Sequence, residues 1–91
     1  MELTFVKQNE FAIYASMPGA YVMAYVKNER HVELHLGTKK LKNIVLCTAR
    51  DNRTKTARCF RTLDAAAKTA LEMQVSEFLV VRDDPTRPDA I

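Results

Sequence analysis

From Tyr21 to Leu36 the apolar residues fall on alternate positions: Val22, Ala24 and Val26, then Val32, Leu34 and Leu36. A period of two sends successive side chains to opposite faces of a strand. The break at Asn28-Glu29-Arg30 divides the run into two arms. Centring that loop on Glu29 sets Val26 opposite Val32 and Ala24 opposite Leu34. A slip of one residue would bury Lys27 and both histidines, so the pattern holds the pairing in one register. Whatever else the chain forms, it must cover one face of this hairpin.

The same alternation extends upstream. Phe11 to Ser16 reads as a strand, and Met17-Pro18-Gly19-Ala20 as a β-turn with Pro and Gly in the type II positions. That turn would set Tyr14 opposite Met23 and Ala12 opposite Tyr25. The core face then gains Phe11, Ile13 and Ala15. The opposite face holds Tyr14, Ser16, Tyr21, Met23, Tyr25, Lys27, His31, Glu33 and His35, so all three tyrosines share it.

The other elements follow from shorter signals. Leu3 to Gln8 alternates as a first strand. Asn43 to Ala49 and Thr56 to Phe60 read as a hairpin around residues 51–55. Thr62 stands at a helix start, with Asp64 where the helix dipole favours an anion. That helix runs to about Gln74, its buried side formed by Leu63, Ala66, Ala67, Ala70 and Leu71. Phe78 to Arg82 is a last strand, and residues 83–91, with Pro85 and Pro88, read as a flexible tail. The expectation is one α+β domain over residues 1–82: an antiparallel β-sheet of five to seven strands with one α-helix packed on one face.

Ninety-one residues build one modest core, for which homodimerisation is a common supplement. The first residues lack a basic stretch followed by an apolar one, and no apolar run approaches the ~18 residues of a membrane span. The chain reads as cytoplasmic and without a membrane partner. Two cysteines are too few for a disulfide scaffold; Cys47 and Cys59, placed across the 51–55 hairpin, read as buried thiols.

Charge is unevenly spread. Lys39, Lys40, Lys42, Arg50, Arg53, Lys55, Arg58 and Arg61 share their segment with one acid, Asp51, while the whole chain nets only +3. The remainder is therefore acidic. Segregated basic charge is the footprint of a phosphate-binding surface. The candidate nucleic-acid contacts are Lys39, Lys40, Lys42, Arg50, Arg53, Lys55 and Arg58, several of them on the expected hairpin. Tyr14, Tyr21 and Tyr25 would form a base-stacking surface or a dimer seam.

His31-x-Glu33-x-His35 has the look of a metal motif. On a strand, though, its histidines stand about 13 Å apart, too far for one chain to close a zinc site. No phosphate loop, nucleophile elbow or CxxC pair is present. The expectation is a non-enzymatic nucleic-acid-binding accessory protein with no metal and no cofactor, its nucleic-acid type open. The alternative is a protein–protein module that holds a partner or a second copy on the tyrosine face.

Phe60-Arg61-Thr62-Leu63-Asp64-Ala65-Ala66-Ala67-Lys68, with Ser76-Glu77-Phe78-Leu79-Val80-Val81 after it, covers about a quarter of the chain. It resembles a helix-then-strand segment of small partition-associated and plasmid-maintenance accessory proteins. The resemblance implies an accessory role in plasmid or mobile-element biology and carries over no catalytic residues.

Overall fold

The computed structural model describes residues 3–41, 43–47 and 56–82. Its elements are β1 (Thr4–Val6), α1 (Gln8–Ala15), β2 (Tyr21–Asn28), β3 (His31–Gly37), β4 (Ile44–Leu46), α2 (Leu63–Glu72) and β5 (Leu79–Arg82). The strands form one sheet in the order β1-β4-β3-β2-β5.

The hairpin stands in the expected register. Val26 pairs with Val32 and Ala24 with Leu34. A bulge between Val26 and Asn28 shifts the last pair, and the Asn28 side chain accepts the Arg30 N–H at 2.9 Å to close the tip.

Two corrections follow. Phe11 to Ser16 is not a strand: Gln8–Ala15 is helix. Over six residues, alternation at Phe11, Ile13 and Ala15 competes with the helical spacing of Phe11, Tyr14 and Ala15, and the helical set is the one that packs on the core. Ile13 is exposed. Local chemistry favours the helix as well. The Glu10 carboxylate accepts the Lys7 N–H at 3.2 Å and places negative charge at the positive end of the helix. Ser16 closes the far end through its hydroxyl on the Ile13 carbonyl, and Pro18 blocks continuation. The type II turn does form, with Ala20 N–H on Met17 O and Gly19 at φ 81°, but it joins helix to strand.

The sheet is also not antiparallel. β1 pairs parallel with β4, and β5 parallel with β2; only β3 runs against its neighbours. The two helices make this possible, because a parallel pairing needs a long crossover. The units β1-α1-β2 and β4-α2-β5 interleave, each bridging two strands of the sheet.

Both helices contribute to the same core. Phe11 from α1 and Ala66, Ala70 and Met73 from α2 meet Val22, Ala24, Val32, Leu34, Leu36, Ile44 and Leu46. Thr62 caps α2 by accepting the Ala65 N–H at 3.0 Å. Gln74 at φ 64° ends it in a Schellman motif, with Val75 N–H on Ala70 O and Gln74 N–H on Leu71 O. Met73 and Thr69 are buried where Leu71 was expected; Leu71 faces outward. No described helix is long and apolar enough to cross a membrane.

Of the expected 43–60 hairpin, Ile44–Leu46 is strand, and the return has isolated bridges between Cys47 and Ala57 and between Val32 and Phe60. Cys47 is thus offset from Cys59, which is exposed rather than buried. The expected tail, 83–91, lies outside the described residues.

Candidate nucleic-acid interface

The face of the sheet away from the helices carries Tyr21, Met23 and Tyr25 on β2 and His31, Glu33 and His35 on β3. Ladder register fixes this, since Tyr21 pairs with Gly37, Met23 with His35 and Tyr25 with Glu33. Cover across this face is uneven. Val45 on β4, which pairs with His35, is fully buried, whereas Leu79 on β5, which pairs with Met23, is 63% exposed. The face opens from β4 toward β5.

The tyrosines do not share it. Tyr14 lies on α1 and packs against the core. Tyr25 is half-buried, its ring centroid 4.5 Å from that of His35 and the Lys27 ammonium 5.4 Å over its ring. Tyr21 remains 43% exposed.

Tyr21 is held in a distinctive way. The chain has only two glycines, Gly19 and Gly37. A Cβ on Gly37 would come within 2.5 Å of Tyr21 Cζ, so the phenol ring lies directly across the Gly37 backbone. The same register continued two residues further sets Gly19 against Lys39. A Cβ on Gly19 would come within 2.9 Å of Lys39 Cε and 3.2 Å of Cγ. Each strand arm thus lays one long side chain over a glycine of the other: a tyrosine ring and a lysine stem, side by side at one end of the sheet.

Lys39 and Lys40 ride on a short turn that Thr38 fixes. The buried Thr38 hydroxyl accepts the Leu41 N–H at 2.9 Å, and the Thr38 N–H reaches Leu41 O at 2.6 Å. Both lysines are exposed. Topology separates them from Arg58 and Arg61. Arg58 and Arg61 flank Phe60, which bridges Val32 at the opposite end of β3. Seven residues of strand lie between these ends, roughly 20 Å. Arg58 is engaged locally: its guanidinium stacks 4.9 Å from the Phe60 ring and donates to the Gln8 side chain at 3.2 Å. Lys42, Arg50, Arg53 and Lys55 lie outside the described residues.

The histidines converge on Glu33. His31 Nε2 is 2.7 Å from Glu33 Oε2, and His35 Nε2 is 2.9 Å from Oε1. As each carboxylate oxygen is an acceptor, each Nε2 donates its N–H to Glu33. Burial pushes the Glu33 carboxyl up. The hydrogen bonds from His35 and His31, with the charges of His35 and Lys27, outweigh that and hold it below its ordinary value. Among the described residues no cluster of three His, Cys, Asp or Glu is arranged to hold a metal.

Sequence reasoning placed Gly19 in the turn and Gly37 at the strand end but missed that each is covered by a side chain of the other arm. Their signal was present in the register itself, which sets Gly37 opposite Tyr21.

No protein family, no curated protein and no solved structure matches this chain.

Proposed function

We propose that this chain is a non-enzymatic nucleic-acid-binding accessory protein of the cytoplasm. One observation carries the reading: the pinned, exposed tyrosine ring and the two exposed lysines of the basic segment stand at the same end of the sheet. Aromatic rings offer bases a stacking surface, and lysines offer phosphates a counter-charge. The resemblance of Phe60–Lys68 to plasmid-maintenance accessory proteins supports a role on plasmids or other mobile elements.

Anisotropy titration with labelled oligonucleotides at low and high salt tests the reading. Affinity is expected to fall with salt. Reversing both Lys39 and Lys40 to glutamate should lower the log–log salt slope by roughly 1.4–1.8, the contribution of two phosphate contacts. An unchanged slope in that variant would reject this end of the sheet as the phosphate contact.

A second reading, a protein-interaction module, is favoured by β5. This edge strand exposes Leu79 on one face and Val80, at 45%, on the other. Edge strands with free backbone groups are templates for pairing with another chain. Sedimentation across a range of protein concentrations distinguishes a self-associating edge from an unpaired one.

A further inference from the structure

We propose that the Tyr21 end of the sheet takes single-stranded nucleic acid, one unpaired base stacking on the outer face of the Tyr21 ring while Lys39 and Lys40 hold the adjoining phosphates. This rests on the nucleic-acid reading above and names the form of the ligand.

Geometry excludes a paired base. The hydroxyl end of the Tyr21 ring lies across the Gly37 backbone, so the side chain is folded down on the sheet and does not project from it, while the residue stays 43% exposed. Within a duplex the faces of the bases are already occupied by their neighbours. A ring folded down across the neighbouring strand cannot slide between them as a projecting wedge does. It can stack only on a base that has left the helix, which is how sheet-based single-strand binders work.

The site is also prepared in advance. Ring and lysine stem each rest on a glycine, and Thr38 fixes the turn that carries both lysines. Little rotamer freedom is left for binding to remove. Tyr25 does not supply a second platform, because His35 and Lys27 already stand against its ring. Charge sets the direction of the strand. Glu33 lies four residues along β3 from Gly37 and repels phosphate, so the backbone is steered off the middle of the face and toward the lysines. The expected footprint is therefore one stacked base with its flanking phosphates.

The experiment compares a short labelled oligothymidylate with a blunt duplex of the same length, on the wild-type chain, Tyr21→Ala, Tyr21→Phe and Gly37→Ala. The chain has no tryptophan and three tyrosines, so the quenching lost in Tyr21→Phe isolates the contribution of Tyr21. The oligothymidylate should bind more tightly than the duplex and quench tyrosine fluorescence. Tyr21→Ala should weaken single-strand binding by roughly 5- to 150-fold, the range for loss of one base stack. Tyr21→Phe keeps the ring and should bind within about twofold of wild type, a control that holds even if Gly37→Ala fails to fold. A folded Gly37→Ala, whose new methyl displaces the ring, should lose affinity although the tyrosine is still present. Equal affinity for duplex, with Tyr21→Ala unchanged, overturns the single-strand inference and leaves nucleic-acid binding standing. No binding of either oligonucleotide at low salt overturns both.

Discussion

The two faces of the sheet are built by the same strands, yet they are held by different forces. On the helix side, Val22, Ala24, Leu34 and Leu36 meet Phe11, Ala66 and Ala70 in one apolar cluster. On the other side, β2 and β3 alternate aromatic, charged and imidazole groups, linked through hydrogen bonds to Glu33 and ring contacts to Tyr25. The first arrangement draws its stability from area removed from water. The second contributes less and retains specific donors, acceptors and one open ring. A chain of this size has one core to spare, and it has placed that core on one side. The other side keeps its polar groups and opens only toward β5, where Leu79 is exposed.

The sharpest way to break the comparison is at Phe11, which is fully buried under the sheet. Phe11→Ala should cost about 3–5 kcal/mol in urea unfolding, the usual range for emptying an aromatic site. Ile13→Ala, two residues on, should cost under about 0.5 kcal/mol, since that side chain faces solvent. Equal costs would mean that α1 does not present one face to the core, and the segment would revert to the strand that its alternation suggests.

That ambiguity shows where sequence stops being informative. The β2–β3 hairpin was legible because its partners are near in the chain and a one-residue slip would bury Lys27 and two histidines. The Met17–Ala20 turn was legible from Pro18 and Gly19. The α2 start was legible from Thr62 and its position before Leu63. Helix α1 was misread as a strand because six residues are too few to separate a period of 2 from one of 3.6. The parallel edges were invisible for a different reason. Val6 beside Leu46 and Leu79 beside Met23 are pairings across a helix, and no local turn chemistry marks them. At the candidate site, Lys39, Lys40 and Tyr21 were each recognised from charge or aromatic character. Their convergence depended on where the basic segment is divided by β4, which charge counting does not reveal.

A smaller effect is expected at Glu33. Its carboxylate takes hydrogen bonds from two imidazoles, and bonds to a charged group contribute about 1.5–3 kcal/mol each when fully formed. Glu33→Gln keeps one acceptor and should cost about 1–2 kcal/mol near neutral pH. The folded-state pKa of Glu33 is depressed, so the carboxylate contributes its full stability above the unfolded value near ~4.3. That contribution fades as pH falls through the lower, folded value. Glutamine does not titrate, so the stability gap between wild type and variant should close on acidification. A gap that stays constant from neutral to strongly acid pH would show that shape, and not charge, holds the imidazole pair.

The smallest effect belongs to Leu79, at the edge where the second face is most open. Removing an exposed side chain usually changes stability by less than about 0.5 kcal/mol, and Leu79→Ser should fall in that range for an unpaired edge. The measurement gains force when repeated at several protein concentrations. If β5 pairs with a second copy, its leucine is buried in the assembly, the substitution costs more, and the wild-type melting temperature rises with concentration while that of the variant does not. A flat dependence in both proteins would leave β5 as a bare edge. The asymmetry between the two faces would then be a property of the single chain, and the proposed contact would rest on the Tyr21 end without help from a β5 dimer.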